Sequence, residues 1–259
     1  MPMQVDKHKD VNKVYEISGE KYRDMLLGAL MWLKEQQAFI DSLNVFPVPD
    51  GDTGTNMYLT FLDAVKAVKK IETNDVSAIS EALARGALMG ARGNSGVILS
   101  QLIRGFQVAN KKNKTFSTAN LAESLRKASE IAYQGVLKPV EGTILTVSRK
   151  AAEGAEIALE NNLDLVGMME STIAYAQEAL NKTPELLPAL KDAGVVDAGG
   201  QGYLTILEGM LKGLVGEKDF KTSELELVKV SRTTAAAPEL KYVYCTEILI
   251  DLKADKGIN

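Results

Sequence analysis

Apolar residues recur at helical spacing in successive segments of this chain from about residue 18 to residue 216. The first segment follows a candidate N-cap, Ser18, and its apolar residues are Tyr22, Leu26, Ala29, Leu30 and Leu33. No alternating pattern typical of a strand occurs before residue 240. About eight helices in sequence therefore predict an all-α domain, a barrel or bundle with its polar residues in the interhelical loops.

The segment at residues 44–57 interrupts the helical pattern with two prolines and two glycines. Within it, Asp50 and Asp52 flank Gly51, so in a turn both carboxylates can point to one position, where they repel each other unless a cation is bound. Magnesium is usually held by one or two carboxylates together with water and phosphate oxygens. The spacing thus predicts a metal-nucleotide site with Asp50 and Asp52 as metal-binding, catalytic residues.

Two other interpretations of this segment can be weighed on the sequence. A calcium-binding EF-hand loop that begins at Asp50 would need an oxygen-bearing side chain at Gly54 and an acidic residue at Phe61, and neither is present. A plain surface turn, with Asn56 capping the next helix, stays open.

A glycine-rich turn at residues 90–96 leads directly into an apolar helical stripe. A helix N-terminus offers free amide hydrogens and partial positive charge, and glycines let a phosphate approach the backbone. The spacing differs from a Walker A loop, and no strand precedes the turn as in a Rossmann fold. Close helix packing through Gly93 and Gly96 explains the glycines equally well.

A third glycine-rich turn, at residues 197–202, opens the last predicted helix. The helical domain is predicted to span residues 15–216, with a linker at 217–240. The segment 241–259 contains β-branched and aromatic residues typical of a strand. Since a lone strand cannot fold, we expect it to be the first strand of an incomplete middle domain.

Composition excludes several classes of function. The chain has 259 residues and a net charge of −4, with a pI near 5.3, which argues against a nucleic-acid partner. The single cysteine, Cys245, allows no intrachain disulfide, and the single histidine, His8, lies in a polar leader. No apolar run reaches the length of a membrane span. We therefore expect a cytoplasmic protein with no integral membrane segment.

Four motifs in order resemble the kinase subunit of bacterial fatty acid kinase. They are NVFPVPDGDTGTNM at residues 44–57, MGARGNSGVILSQ at 89–101, KPVEGTILT at 138–146 and GVVDAGGQG at 194–202. The resemblance covers roughly residues 15–250, and the helical part is similar to the nucleotide-binding L subunit of dihydroxyacetone kinase. It implies an eight-helix barrel whose loops at one end hold two Mg²⁺ ions and ATP or ADP. It also implies that a separate fatty-acid-binding protein of the DegV type presents the acyl chain.

Position by position, the resemblance matches Asp50 and Asp52 to the magnesium-binding aspartates. Asn44, with a shift of one residue, stands where the dihydroxyacetone subunit has a third aspartate, and Thr53 stands where it has a histidine, which makes a sugar substrate less fitting. The residues matched to the nucleotide are Thr53, Gly54, Thr55, Asn56, Gly93, Asn94, Ser95, Gly96, Thr143, Asp197, Gly199 and Gly200.

The leading hypothesis is an ATP- and magnesium-dependent phosphotransferase domain that converts a protein-held fatty acid into an acyl phosphate. We expect it to be weak or inactive without the partner and the missing domains. One alternative is a kinase for a small ketone or polyol, and another is a nucleotide-binding scaffold without turnover. A homodimer is compatible with each of these.

Overall fold

The computed structural model of the chain describes residues 13–216, so the predicted linker and the predicted strand after it lie outside the described residues. Within that part the chain forms ten α-helices and two short strands. The helices are α1 Gly19–Ser42, α2 Thr53–Lys69, α3 Val76–Met89, α4 Gly93–Ala109, α5 Thr118–Gln134, α6 Ile144–Glu160, α7 Leu165–Asn181, α8 Thr183–Leu186, α9 Pro188–Ala193 and α10 Ala198–Val215.

Local sequence signals explain where most helices begin. The Ser18 side chain accepts a hydrogen bond from the Lys21 amide at the start of α1, and Ser117 forms a capping box with Asn120 at the start of α5. Asn56, considered above as a cap of the second helix, lies inside that helix, which begins at Thr53 with Asp52 as its N-cap. The all-α prediction is confirmed.

The eight long helices close into a ring. Each packs against the next along the chain from α1 to α7, α7 packs against α10, and α10 returns to α1. Short loops between packed neighbours require the helices to alternate in direction. The segments 43–52, 90–92, 135–143 and 182–197 therefore meet at one end of the barrel, called here the loop end.

Glycines allow the backbones of α1 and α10 to approach closely. A Cβ atom on Gly28 would lie 2.3 Å from the Gly209 carbonyl oxygen, and one on Gly213 would lie 2.2 Å from the Asp24 carbonyl oxygen. Beside this seam, Trp32 Nε1 donates a 2.7 Å hydrogen bond to Glu208. The ring closes because no side chains separate the two backbones there.

A two-stranded antiparallel sheet lies opposite the loop end. It pairs β1 (Glu16–Ile17) with β2 (Phe116–Ser117), and the Phe116 ring stacks on Tyr22 with centroids 4.7 Å apart. The prediction of no strand before residue 240 is wrong in this detail, because strands of two residues are too short to show periodicity.

A continuous apolar core fills the interior of the ring, with Phe61, Met57 and Leu99 among its fully buried side chains. No helix between residues 13 and 216 combines the length and the apolar character that crossing a membrane requires.

Candidate functional site

Asn44 organises the loop between α1 and α2. Its side-chain amide donates to the Val48 carbonyl oxygen at 2.7 Å and to Asp50 Oδ1 at 2.8 Å, and its Oδ1 accepts a hydrogen bond from the Thr53 hydroxyl. Asn44 is buried, so these bonds satisfy a polar group that has left water. The structure shows Asn44 holding the loop in shape, and its role as a metal ligand stays a prediction.

Asp50 and Asp52 lie on either side of a tight turn at Gly51. Gly51 has φ +66°, a left-handed conformation that glycine adopts without the steric penalty of a Cβ. Asp50 is exposed and Asp52 is half-buried. Although Asp52 is the N-cap of α2, its side chain makes no capping hydrogen bond. Its carboxylate therefore accepts no hydrogen bond from a backbone amide of the first turn of the helix that it begins.

The charges around Asp52 repel one another. Burial raises the pKa of Asp52, and the neighbouring charges of Asp50 and Asp41 raise it further, whereas a hydrogen bond with Asn56 acts to lower it. A group with a raised pKa holds its proton more tightly than an ordinary aspartate. This is the electrostatic condition that a bound cation would relieve.

Asp41, near the C-terminus of α1, lies beside the predicted site and was not predicted from the sequence. Its Oδ1 accepts a 2.9 Å hydrogen bond from the Thr55 amide, and its Oδ2 accepts a 2.8 Å hydrogen bond from the Thr55 hydroxyl. Gln37 also donates to the Thr55 hydroxyl. No sequence signal marks Asp41, because in a helical pattern it reads as an ordinary polar surface position.

Gly54 lets the first turn of α2 lie directly on the last turns of α1. A Cβ atom on Gly54 would lie 2.3 Å from the Gln37 carbonyl oxygen and 3.1 Å from Asp41 Oδ1. Thr53, Gly54 and Thr55 thus each have a local contact that holds α2 against the preceding loop and helix. Their predicted contact with nucleotide stays a prediction.

The glycine turn at the start of α4 packs against the same helix. A Cβ atom on Gly93 would lie 2.5 Å from Asn56 Nδ2, and one on Gly96 would lie 2.4 Å from Thr60 Oγ1. The Thr60 hydroxyl also accepts a 3.2 Å hydrogen bond from the Arg92 amide. Close packing through these glycines, one of the two interpretations of the turn, is therefore observed.

That packing brings the N-terminus of α4 beside the first turn of α2, which directly follows the loop that carries Asp50 and Asp52. The N-cap of α4 is Arg92, which makes no side-chain capping hydrogen bond, and Gly93 has φ +58°. Asn94 is exposed and Ser95 is half-buried in this first turn. An uncapped helix N-terminus retains its partial positive charge and its capacity to bind an anion, so the packing and phosphate interpretations are compatible.

Thr143 and Asp197 meet on the other side of the loop end. Thr143 is the N-cap of α6, and its hydroxyl donates to the Val140 carbonyl oxygen at 2.8 Å. Asp197 is the N-cap of α10, and its Oδ2 accepts a 2.7 Å hydrogen bond from the Gly200 amide. A Cβ atom on Gly199 would lie 3.3 Å from the Ile144 Cβ, so the two helix starts are in contact.

Asp197 is buried, and burial raises its pKa to about 6, although hydrogen bonds from the Gly200 and Ile144 amides act to lower it. The Asp197 carboxylate is thus engaged with protein amides. The structure assigns Asp197 and Gly200 a capping role, and their predicted contact with nucleotide stays a prediction.

Contact between α2 and α10 joins the two sides of the loop end, the side with Asp50 and Asp52 and the side with Thr143 and Asp197. A Cβ atom on Gly202 would lie 2.4 Å from Met57 Sδ and 3.9 Å from Ile40 Cδ1. This contact places the first turns of α2 and α10 side by side. All four sequence motifs therefore lie at the loop end, as predicted for loops of a helical barrel.

A charged network that the sequence reading missed anchors the loop before α6. Glu141 accepts hydrogen bonds from Tyr133 at 2.8 Å, from Thr146 at 2.7 Å and from Arg149 at 3.0 Å. Partial burial acts to raise the pKa of Glu141, but these hydrogen bonds outweigh it and the pKa is lowered. The network fixes the segment that carries Thr143.

The fold is a closed ring of antiparallel helices, and its carboxylates and glycine turns lie in the loops at one end. These features define a class of α-helical domain. The model of the DAK2 domain matches residues 47–212, which contain Asp50, Asp52 and both glycine turns. The chain belongs to the DAK2 domain family.

Two curated relatives align along nearly the whole chain. Protein YloV of Bacillus subtilis is 41% identical over 249 residues, which cover 93% of this chain and 45% of that protein. An uncharacterized protein of Staphylococcus haemolyticus is 43% identical over 250 residues, covering 94% of this chain and 45% of the relative. The chain therefore spans a little under half the length of these relatives.

Solved structures with the same fold include the dihydroxyacetone kinase from C. freundii. Its complex with AMP-PNP and Mg²⁺ superposes with a TM-score of 0.56 at 14% identity, covering 82% of this chain and 37% of that chain. Its native form gives a TM-score of 0.53 with similar coverage. At this level of identity the likeness establishes the fold.

Proposed function

We propose that this chain is an ATP- and magnesium-dependent phosphotransferase domain that acts on the carboxylate of a fatty acid. One observation carries the proposal: Asp52, which makes no capping hydrogen bond, is hydrogen-bonded to Asn56, and Asn56 contacts Gly93 at the uncapped N-terminus of α4. A cation site and an anion site are thus adjacent, as binding of a magnesium-nucleotide requires.

Asp50 and Asp52 fit magnesium in their chemistry. Both supply hard oxygen donors, and the raised pKa of Asp52 reflects burial and then repulsion by Asp50, which a divalent cation would offset. Within residues 13–216 no three histidine, cysteine, aspartate or glutamate side chains form a metal cluster. We infer that phosphate and water complete the coordination. When bound, magnesium would neutralise charge on the phosphates.

The first turn of α4 fits the phosphates. Gly93 and Gly96 keep that turn against α2, and Asn94 and Ser95 lie at the helix N-terminus where a phosphate oxygen can accept from amide and hydroxyl groups. Thr143, Asp197, Gly199 and Gly200 stand across the loop end, and we assign them to the remainder of the nucleotide. The C. freundii enzyme of the same fold was solved with AMP-PNP and Mg²⁺, which supports this assignment.

A carboxylate acceptor suits the side chains available. The reaction would form a bond between a carboxylate oxygen and the γ-phosphorus and break the bond from that phosphorus to the oxygen bridging it to the β-phosphate, giving acyl phosphate and ADP. A fatty acid carboxylate is already ionised at neutral pH, so the transfer needs no general base. Positioning and charge neutralisation supply most of the catalysis in phosphoryl transfer.

Exposed apolar side chains at the loop end support a protein partner. Phe39, Val48, Met89, Val97 and Leu137 are all exposed there, with Leu137 fully so. Apolar side chains around a polar site are typical of a docking surface. We propose that they receive a fatty-acid-binding protein of the DegV type, which presents the carboxylate, and that the encounter takes place in the cytoplasm.

A kinase for a small ketone is the second candidate, favoured by the fold shared with dihydroxyacetone kinase. The two candidates differ in the acceptor and not in the nucleotide site. A fatty acid bound to its carrier and free dihydroxyacetone, each supplied with Mg²⁺ and ATP, would distinguish them by which one is phosphorylated.

Calorimetric titration with AMP-PNP in the presence of Mg²⁺ tests the nucleotide site. We expect the unmodified chain to bind and the Asp50→Ala/Asp52→Ala double variant to lose most of its magnesium-dependent affinity with its fold intact. Asp192→Ala, which removes an exposed carboxylate on α9, is the matched control and should bind normally. Equal binding by the double variant and the unmodified chain would remove these aspartates from the site.

We expect this chain to bind nucleotide but to transfer phosphate slowly when it acts alone. Orienting the reactants can account for roughly 7–11 kcal/mol of a barrier, so an acceptor that is not held in line should react slowly even when nucleotide is bound. We expect little phosphorylation of free fatty acid by this chain alone and faster transfer when the carrier protein is added. Rapid transfer to free fatty acid without a carrier would contradict the partner assignment.

A further inference from the structure

We propose that Asp41 is a positioning residue that caps α2 in place of Asp52 and so leaves the Asp52 carboxylate available to the metal. The inference rests on the proposed magnesium-nucleotide site. It concerns a residue that acts through Asp52 and Thr55 and does not itself bind the metal.

The N-terminus of α2 departs from the pattern of the other helices. Among the eight long helices of residues 13–216, six are capped by the side chain of their own N-cap residue; these residues are Ser18, Asp75, Ser117, Thr143, Asp164 and Asp197. The exceptions are α2 and α4, the two helices that begin at the proposed metal and phosphate positions. Aspartate is a preferred N-cap residue, so the absence of a capping bond from Asp52 requires a reason.

Asp41 supplies the acceptor that Asp52 does not. Thr55 is the third residue of α2, and its amide is one that an N-cap side chain would ordinarily satisfy. Asp41 Oδ1 accepts from that amide at 2.9 Å, and Asp41 Oδ2 accepts from the Thr55 hydroxyl at 2.8 Å. Both carboxylate oxygens of Asp41 are therefore engaged with a single residue of α2.

The surroundings of this pair leave little freedom. Gln37, one turn earlier on α1, donates to the Thr55 hydroxyl at 2.8 Å, and Gly54 brings the two helices together with no room for a Cβ. These hydrogen bonds and this close packing hold the first turn of α2 against the last turns of α1. Because Asp52 immediately precedes this turn, the orientation of its backbone is set by the Asp41–Thr55 bonds.

Asp41 supports the start of α2 through the position of its acceptor oxygens and not through its charge. Its negative charge adds to the repulsion on Asp52, so charge alone would weaken the ionised form of that carboxylate. The capping role needs one acceptor oxygen at the Thr55 amide, and an asparagine side chain keeps that oxygen while its NH₂ group can donate to the Thr55 hydroxyl oxygen. A positioning role therefore predicts that Asp41→Asn retains function and that Asp41→Ala does not.

The test measures the magnesium dependence of AMP-PNP binding, by calorimetry at a series of Mg²⁺ concentrations, together with the thermal midpoint without magnesium. Loss of a group that orients a metal ligand typically weakens metal affinity by about 10- to 100-fold, and we expect Asp41→Ala to show that loss and Asp41→Asn to stay close to the unmodified chain. Asp75→Ala removes the cap of α3 at the opposite end. It should lower the thermal midpoint and leave magnesium affinity unchanged.

The outcomes are distinguishable. If the unmodified chain binds and Asp41→Ala binds magnesium equally well, the positioning role is overturned and the proposed function is not. If Asp41→Asn loses as much affinity as Asp41→Ala, the charge matters and the capping explanation is overturned. If the unmodified chain itself fails to bind Mg²⁺ with AMP-PNP, both proposals fall. Should Asp41→Ala not fold, Asp41→Leu replaces it, because leucine fills a similar volume and offers no acceptor to the Thr55 amide: a loss of about tenfold in magnesium affinity supports the role, and an unchanged affinity overturns it.

Discussion

At the scale of single residues, Asp197 caps α10, but burial of its ionised carboxylate lowers the stability of the folded protein. Its carboxylate caps α10 through Gly200 but is buried, which raises its pKa to about 6 from a reference of 3.8. Between those pH values the folded state binds more protons than the unfolded state. The free energy of unfolding should therefore fall as pH rises through this window, because ionisation is penalised only in the folded protein.

The prediction for Asp197 is measured by urea unfolding at a series of pH values. A shift of this size corresponds to about 3 kcal/mol of stability lost between the acidic and neutral limits. Asp197→Asn keeps a capping oxygen and cannot ionise, so its stability should vary less over the same window. Parallel curves for the variant and the unmodified chain would show that Asp197 does not titrate there.

At the scale of elements, we expect the proposed site to depend on the attachment of α4 to α2. Thr60 is fully buried, and its hydroxyl donates to the Asn56 carbonyl oxygen at 2.7 Å and accepts from the Arg92 amide. Thr60→Val preserves shape but leaves the Arg92 amide without this partner. We expect a loss of roughly 1–3 kcal/mol in the free energy of unfolding and weaker AMP-PNP binding, because the α4 N-terminus is released.

Thr172 offers a matched control for this change. It is fully buried in α7, and within the described part of the chain its hydroxyl has no hydrogen-bond partner. Thr172→Val should therefore be neutral or stabilising, since it removes an unsatisfied polar group. Equal effects of the two valine variants in urea unfolding would show that the Arg92 bond contributes nothing measurable.

At the scale of the whole molecule, closure of the ring depends on the glycines between α1 and α10. A Cβ atom on Gly209 would lie 2.5 Å from the Ala29 Cα and 2.7 Å from the Gly28 carbonyl oxygen. Gly209→Ala should destabilise the protein by about 1–3 kcal/mol or more, because two backbones must separate to admit one methyl group. Thermal or urea unfolding measures the effect.

Gly167 in α7 is the corresponding control, since the nearest atoms to an added Cβ lie at 3.4 Å, an ordinary contact distance. Gly167→Ala should stabilise the protein by up to about 1 kcal/mol through helix propensity alone. A comparable loss in both variants would mean that glycine flexibility, and not the α1–α10 approach, explains the sensitivity of the seam.

Short-range sequence patterns predict much of this architecture. Helical spacing of apolar residues and capping residues such as Ser18, Ser117 and Asp164 act within a few positions of one another, so the helices and most of their starts follow from the sequence by itself. The Asp50-Gly51-Asp52 turn is equally local, and its pair of carboxylates could be recognised before any fold was known. Alternation of short-linked helices then places the loops at one end.

Tertiary structure alone decided what those loops touch. The Asp41–Thr55 bonds, the contact of Gly93 with Asn56 and the pairing of β1 with β2 join residues from 14 to about 100 positions apart. No periodicity or spacing rule reports such contacts, because they depend on how closely two helices approach and on which glycines permit it. For that reason the sequence predicted Asp52 as a site residue, whereas only the packing of α2 on α1 showed that Asp41 is bonded to Thr55 in the turn that follows it.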